Sequence, residues 1–275
     1  MLIPTPTSPE RGEAAKDKDR TLVSPSPFWR RGAFFRSMST NEESEARLAR
    51  SRVVVVGVGG LGAPAAMVLA AAGVGTLVLV DPDRVELSNL HRQPLYESTD
   101  LGRPKVEVAA PRLGTLHPTL LVERHEARFT AAHVAGATVV LDGTDSIAAK
   151  FLVNDACVAA GVPLVHAGVL GFRAQLLTVL PGRSACYRCV FEEAPPPGDV
   201  PSCQEAGVLG PLPSLVGALQ AAEALRVLAG VTAQHADRIL TLDLHAGRWR
   251  VVPVAARPAC PACAPLHVLG RSEAS

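Results

Sequence analysis

The sequence predicts an α/β protein with a Rossmann-like, mostly parallel sheet and helices on both faces, extended by antiparallel strands and a knuckle of four cysteines. Two observations predict this class. Short β-branched runs alternate with helical segments from residue 52 to about residue 167, as in parallel strands joined by right-handed crossovers. After Gly171 the alternation stops, and Phe172–Leu180 is typical of an added antiparallel strand. We expect one domain over residues 38–275, with a parallel core at 52–167 and an antiparallel extension at 171–265.

Composition argues against several classes of function. The chain has 275 residues, 48% of them hydrophobic, and no apolar run approaches the roughly 18 residues of a membrane span. A net charge of +1 argues against nucleic acid or a membrane surface as the main partner. We expect a soluble, cytoplasmic protein, because residues 1–37 contain no apolar secretory segment and carry acidic residues that are unusual in transit peptides.

The N-terminal 37 residues contain five prolines, mixed charges and no apolar periodicity, which predicts a disordered extension. Met38 is the alternative start of the chain. Thr40 and Glu43 then have the spacing of a capping box, which predicts a short helix that ends at Arg50.

The first strand of the core leads into a glycine loop. Val53–Val56 is a β-branched run that predicts a buried strand, and a helix is predicted at Pro64–Ala72. Between them lies a G-x-G-x-x-G sequence, whose first glycines allow a sharp turn near a phosphate and whose last lets the helix pack on the strand. The glycines expected to contact a nucleotide are Gly57, Gly59, Gly60 and Gly62. The positive N-terminal end of the helix points at this loop, so we predict a nucleotide site there.

The remaining elements follow from the same periodicities, with Gly73 and Gly161 as helix caps. Pro111 is expected to interrupt its helix after two turns. The further predicted strands are Thr76–Val80, Leu120–Glu123, Thr138–Asp142, Pro163–Ala167, Phe172–Leu180, Ile239–Leu244 and Arg248–Val254. The further predicted helices are one starting near Lys105, Ile147–Ala160 and Pro211–Ala229.

Polar side chains cluster where the predicted parallel strands end. Because the carboxyl ends of parallel strands meet at one edge of a sheet, we expect these side chains around the glycine loop. The expected nucleotide ligands are Asp81, Asp83, Asn89, Arg92, Gln93, Lys105 and Asp145. Two cations and three carboxylates suit nucleotidyl transfer, in which cations stabilise a triphosphate while carboxylates hold Mg²⁺ and the ribose. Hydride transfer does not need this set, which makes an NAD-dependent oxidoreductase the weaker hypothesis.

Each of these residues also has an ordinary structural interpretation. Arg92 would otherwise be a solvated surface charge, and Lys105 a lysine on a helix surface. Lys105 is one of only two lysines beyond residue 37, however, and a cation in the first turn opposes the helix dipole, which favours a ligand-facing role. Asp145 would otherwise cap the helix that begins near Ile147, and Asp83 would be a turn former.

The chain has six cysteines, and four form two Cys-x-x-Cys pairs: Cys186, Cys189, Cys260 and Cys263. In a chain of this size such pairs favour metal or redox chemistry over a disulfide framework. Four thiolates make a closed tetrahedral site, so we predict a structural Zn²⁺; buried free thiols and redox disulfides are the alternatives. Cys157 is expected in the core, and Cys203 in an exposed loop at 192–207.

Seven ordered motifs resemble the ThiF/MoeB/HesA family of ubiquitin-activating-type adenylyltransferases over roughly residues 47–265. The motifs are Gly57–Gly62, Asp81–Asp83, Ser88–Gln93, Gly102–Lys105, Thr144–Asp145, the two Cys-x-x-Cys pairs, and Cys203–Pro211. The resemblance implies ATP-dependent adenylation of the C-terminal glycine of a ubiquitin-like sulfur-carrier protein, in thiamin or molybdenum cofactor biosynthesis. It also implies a homodimer, and a cysteine desulfurase or rhodanese-type sulfur donor acting in trans.

The residues fit that chemistry, in which the carrier carboxylate attacks the α-phosphate of ATP and pyrophosphate leaves. Asp81 would take the ribose, and Asn89, Arg92 and Lys105 would neutralise the triphosphate. Asp145 would bind Mg²⁺.

The resemblance implies that Cys203 links to the activated carrier or takes part in sulfur transfer, and an ordinary loop cysteine is the alternative. Two departures from the family pattern keep a second hypothesis open. The family's N-terminal Arg-Tyr-x-Arg-Gln segment is missing, with Arg47 and Arg50 the nearest arginines, and Ser146 stands where the family usually has Asn. The second hypothesis is a non-catalytic scaffold, or a silent heterodimer subunit that binds carrier or ATP without turnover.

Overall fold

A computed structural model describes residues 42–196 and 206–266 of the chain. In these ranges the strands are β1 (Arg52–Val56), β2 (Thr76–Val80), β3 (Leu121–His125), β4 (Val139–Asp142), β5 (Leu164–Leu170), β6 (Arg173–Val179), β7 (Arg238–Asp243) and β8 (Arg248–Pro253). They form one sheet in the order β3-β2-β1-β4-β5-β6-β7-β8. Neighbours among β1–β5 are parallel, whereas β6, β7 and β8 pair antiparallel with their neighbours. The predicted sheet is thereby confirmed.

Helices cover both faces of the parallel strands. They are α1 (Glu42–Arg50), α2 (Gly62–Ala72), α3 (Lys105–Gly114), α4 (Ile147–Ala160), α5 (Tyr187–Val190) and α6 (Pro211–Leu228), with 3₁₀ turns at Leu87–Arg92, Ser98–Asp100 and Ala131–Val134. The side chains of α2, α3 and α6 form one core with Val53 and Val55 of β1, and those of α4 form a second core with Val54 and Val56. Successive strand residues face opposite sides, so a strand covered on both faces is a continuous apolar run.

Most predicted elements are confirmed to within a few residues, including the Gly73 and Gly161 caps. The predicted break at Pro111 is wrong, because α3 continues to Gly114. Pro111 removes one backbone hydrogen bond near the end of the helix, but Leu113 in the last turn is fully buried, and its packing holds that turn in place. The predicted 82–96 loop contains the 3₁₀ turn at Leu87–Arg92.

The antiparallel end of the sheet is much less covered. All six residues of β8 are exposed, with Trp249 and Val251 more than half exposed. Within the described residues no helix has both the length and the apolarity to cross a membrane. The predicted N-terminal extension, the Thr40 cap and Cys203 lie outside the described residues.

Candidate active site

The carboxyl ends of β1, β2 and β4 meet at one edge of the sheet and border an open cleft of about 1880 Å³. Most predicted ligands line this one cleft: Gly57, Gly59, Gly60, Asp81, Asp83, Asn89, Arg92, Gln93, Lys105 and Asp145. Arg92, Lys105 and Asp145 therefore line the same cleft as the first turn between strand and helix. Gly62 does not line the cleft and lies behind the loop.

The glycine loop is tight enough to exclude side chains at two positions. Gly57 has φ +82°, and a Cβ there would lie 2.9 Å from the carbonyl oxygen of Gly143. A Cβ on Gly62 would collide with the carbonyl oxygen of Gly57. Among the described residues, the N–H groups of Gly59 and Gly60 donate to no protein acceptor, so they fit a phosphate.

Asp81 supports the glycine loop through a hydrogen bond. Its buried carboxylate accepts hydrogen bonds from the backbone N–H of Val58 (2.6 Å) and of Asp83 (2.8 Å). Burial raises the pKa of Asp81, and the nearby Lys105 only partly offsets this. Tyr96, which sequence reasoning missed, donates from its hydroxyl to the Val58 carbonyl (2.6 Å). Both backbone polar atoms of Val58 are thus held by hydrogen bonds. Binding of the ribose by Asp81 stays a prediction.

Lys105 lies in the cleft wall and not on a helix surface. Its side chain is only 5% exposed, and its Nζ lies 2.9 Å from the carboxylate of Asp83, whose side chain is 65% exposed. The interpretation of Lys105 as an ordinary surface lysine is therefore wrong. The pair therefore places a positive charge inside the cleft wall and a negative charge at the rim of the cleft.

The 3₁₀ turn after β2 carries the other predicted ligands. Arg92 donates to the carbonyl of Ser88 (3.0 Å), and Asn89 accepts from the amide of Gln93 (3.3 Å). Gln93 is buried, and its Oε1 has no hydrogen-bond partner among the described residues. A buried acceptor without a donor on the wall of a cleft fits a ligand hydroxyl or amine.

Asp145 follows β4 and is exposed to the cleft. The alternative that it caps α4 is wrong, because the cap is Ser146, whose hydroxyl accepts from the N–H of Ala149 (3.4 Å). Within the described ranges the Asp145 carboxylate has no hydrogen-bond or ion-pair partner. A free carboxylate beside a phosphate loop fits Mg²⁺, and that role stays a prediction.

Sequence reasoning missed a buried charge cluster behind the cleft. Asp142, at the end of β4, is fully buried and contacts His166 Nδ1 (2.8 Å) and Lys150 Nζ (3.4 Å). Although burial favours the neutral acid, Lys150 and His166 hold the pKa of Asp142 well below its usual value. Burial and Lys150 lower the pKa of His166, so its ring is neutral. The scarcity of lysine was the one sequence signal that pointed to Lys150.

The four predicted zinc ligands come together in the core on the α4 side of the sheet, and none of them lines the cleft. Their Sγ atoms all lie within 4.8 Å of one another, with 3.6 Å between Cys186 and Cys260 and 3.4 Å between Cys189 and Cys263. A Zn–S bond of about 2.3 Å in a tetrahedron separates sulfurs by about 3.8 Å, and the cluster fits that spacing. All four are free thiols in this structure, so the set fits a structural zinc. Cys157 is fully buried in the core, as predicted.

The strand order β3-β2-β1-β4-β5 and the cleft at its carboxyl edge place the chain in the Rossmann-like class of folds, in which this edge is the usual ligand site. A match to the ThiF family spans residues 34–262, and the chain belongs to that family.

Curated relatives cover most of the chain. The SAMP-activating enzyme E1 of Haloferax volcanii is 46% identical over 225 residues, 80% of this chain and 83% of that protein. The sulfur carrier protein adenylyltransferase of Thermus thermophilus is 45% identical over 230 residues, 80% of this chain and 85% of that protein. The sulfur carrier protein ThiS adenylyltransferase of Escherichia coli is 40% identical over 226 residues, 80% of this chain and 89% of that protein. The chain is accordingly an adenylyltransferase of the ThiF family.

A solved structure has the same fold. The crystal structure of Escherichia coli MccB with MccA-N7isoAsn matches with a TM-score of 0.71 and 22% identity, over 80% of this chain and 69% of that one. At this identity the likeness shows the fold alone.

Proposed function

We propose that this chain uses ATP to adenylate the C-terminal glycine of a ubiquitin-like sulfur-carrier protein. The observation that carries the proposal is that Arg92, Lys105 and Asp145 line one cleft with Gly59 and Gly60, whose N–H groups have no acceptor among the described residues. The names of the relatives from Thermus thermophilus and Escherichia coli support a sulfur carrier as the substrate.

The reaction needs no side-chain nucleophile or base. A carboxylate oxygen of the carrier forms a bond to the α-phosphorus of ATP, and the bond from that phosphorus to the bridging oxygen of the β-phosphate breaks. Pyrophosphate leaves with the electron pair, and no proton is transferred. Catalysis then consists of positioning and of neutralising charge at the phosphates.

The residues of the cleft divide this work. The glycine-loop N–H groups and the N-terminal end of α2 hold phosphate, Arg92 and Lys105 neutralise the triphosphate, and the Asn89 amide donates a hydrogen bond to it. Asp81 would take the ribose, and Asp83, whose carboxylate is exposed and paired with Lys105, lies beside it at the rim of the cleft. Mg²⁺ held by Asp145 and the phosphates would supply charge neutralisation at the reacting phosphoryl group.

The rest of the proposal concerns partners. The cleft continues along β5 and β6 to Gln175 and Arg173, which leaves room for an extended carrier tail. Passage of that tail under the loop at 192–210 belongs to the proposal, and residues 197–205 of the loop lie outside the described residues. A homodimer, a sulfur donor in trans, a thiamin or molybdenum cofactor pathway and a covalent role for Cys203 all belong to the proposal. The four cysteines would hold zinc for structure, since four thiolates leave no open position.

ATP–pyrophosphate exchange driven by a purified sulfur carrier tests the proposal. We expect exchange with the wild type and with Glu126→Gln, which removes an exposed carboxylate outside the cleft. Asp145→Asn should reduce exchange by about 10²-fold or more, because one group that stabilises charge in the transition state is lost.

Absence of exchange despite thermal protection by Mg-ATP would contradict turnover and favour the silent-subunit hypothesis. That hypothesis draws on two departures from the family pattern, the missing N-terminal arginine segment and Ser146 in place of Asn. Protection by NAD in place of Mg-ATP would contradict both.

A further inference from the structure

Thr144 lies in the turn between β4 and α4, and each of its polar atoms makes a hydrogen bond to Asp142 or Lys150. The N–H and the hydroxyl of Thr144 both donate to Oδ1 of Asp142, at 3.0 and 2.7 Å. The Thr144 carbonyl accepts from Lys150 Nζ at 2.6 Å. This clamp, formed by Asp142 and Lys150, fixes the peptide on both sides of Thr144.

The clamp is itself anchored in the core. Oδ2 of Asp142 accepts a hydrogen bond from His166 Nδ1 (2.8 Å). The main-chain carbonyl of Asp142 accepts one from Gln220 Nε2 (2.9 Å). Lys150 also donates to the carbonyl of Ala167 on β5 (2.7 Å). Asp142, Lys150, His166 and Gln220 are all buried, so water cannot replace these bonds.

Lys150 is not free to serve as a phosphate ligand, although it lines the cleft. An ammonium group has three N–H donors, and three acceptors surround this one: Asp142 Oδ2, the Thr144 carbonyl and the Ala167 carbonyl. Binding a phosphate would leave one of these buried acceptors unpaired, which is costly. The role of Lys150 must therefore be exerted through the turn.

Asp145 follows Thr144 directly, but among the described residues its side chain is not held by hydrogen bonds as that of Thr144 is. It is exposed, it faces the cleft, and within the described part of the chain its carboxylate has no partner. The position of that carboxylate is set by the backbone that precedes it, which the clamp holds.

We propose that Asp142 and Lys150 are positioning residues, which clamp Thr144 so that the Asp145 carboxylate is held ready for the metal–triphosphate. This inference rests on the proposed function, in which Asp145 binds Mg²⁺. Groups that orient a metal ligand from behind typically contribute about 10- to 100-fold to metal affinity or activity.

Thr144→Val tests the clamp with little change of shape, because it removes only the hydroxyl bond to Asp142. Thr178→Val is the matched control: the Thr178 hydroxyl donates to a buried carboxylate, that of Glu223, at 2.8 Å, and neither residue lines the cleft. The measurement is the Mg²⁺ concentration that gives half of the thermal protection by ATP, with ATP and EDTA as the metal-free reference. We expect Thr144→Val to raise this concentration about tenfold and Thr178→Val to leave it at the wild-type value.

Lys150→Met and Lys150→Arg extend the test to the other side of the clamp. We expect Lys150→Met to raise the Mg²⁺ requirement at least as much as Thr144→Val, and Lys150→Arg, which keeps donors and charge, to recover part of it. A wild-type Mg²⁺ requirement in Thr144→Val, or equal shifts in Thr144→Val and Thr178→Val, would overturn the clamp.

The same assay separates this inference from the proposed function. Wild-type protein that is protected by Mg-ATP but gives no carrier-driven exchange contradicts the proposed function, and the variants still decide the clamp. Wild-type protein without any Mg²⁺-dependent protection overturns the clamp, since Asp145 would then hold no metal.

Discussion

The parallel strands β1–β5 and the antiparallel strands β6–β8 differ in what their functional side chains do. In the parallel half, strands β1, β2 and β4 are buried almost throughout, and the residues after them present a few charges at one edge of the sheet. In the extension, the four cysteines join two chain segments 70 residues apart, and the last strand is exposed along its whole length. From this difference we expect substitutions in the two regions to have different effects. Changes at the cleft should reduce turnover without loss of stability, and changes at the cysteines should reduce stability.

Lys105→Ala should give the largest effect, on turnover alone. We expect carrier-driven ATP–pyrophosphate exchange to fall by about 10³-fold, equivalent to about 4 kcal/mol of transition-state stabilisation. The fold should survive, because the Asp83 carboxylate left behind is 65% exposed and water can solvate it. Exchange rate and circular dichroism are the measurements. Arg84→Ala, which breaks an exposed ion pair with Glu126, is the control and should keep wild-type exchange.

Zinc removal should give the next effect, on stability. We expect one zinc per chain by metal analysis and none in Cys260→Ser, since a closed site needs all four thiolates. At free zinc about 100-fold above its Kd, binding contributes about 2.7 kcal/mol to the free energy of unfolding, which chelation should abolish. Hydrogen exchange should then rise around α5 and at residues 254–266 before it rises in β1 and β2. Equal loss of protection in both halves would contradict the separation.

Sequence reasoning located the parallel half well because its signals are local. Val53–Val56 and Thr76–Val80 are strands buried on both faces; the first runs straight into the glycine loop and the second into Asp81. Because strand ends meet at one edge, the sequence predicts Asp83 and Lys105 in one cleft, and both line it. The two Cys-x-x-Cys pairs were also found, because their spacing is characteristic of zinc ligands.

What sequence reasoning missed depends on contacts between distant residues. Asp142 was taken only as the end of a strand, and its partners His166 and Lys150 lie on different elements. Tyr96 reaches Val58 from 38 residues away. No spacing rule connects such pairs, since burial and not periodicity brings them together.

Acid should weaken the parallel half through His166. Burial lowers the pKa of His166 from its ordinary 6.5, so below that pH the unfolded chain binds a proton that the folded chain does not. The contribution of His166 to the free energy of unfolding is therefore fully present above pH 6.5 and is lost as the pH falls below that value. The slope is at most about 1.4 kcal/mol per pH unit for one proton. His166→Gln should flatten this part of the curve of unfolding free energy against pH. An unchanged slope in His166→Gln would contradict a neutral buried His166.

The last comparison makes one substitution at two positions, and the exposed position should give the smallest effect of all. Val55 on β1 is 0% exposed and Val251 on β8 is 52% exposed. Val55→Ala should lower the free energy of unfolding by about 2 kcal/mol, because buried methyl groups and their packing are lost. Val251→Ala should change it by less than about 0.5 kcal/mol, as at other exposed positions. Denaturant unfolding measures both, and a similar loss at the two positions would mean that another molecule, such as a second copy of the chain, covers β8 in solution.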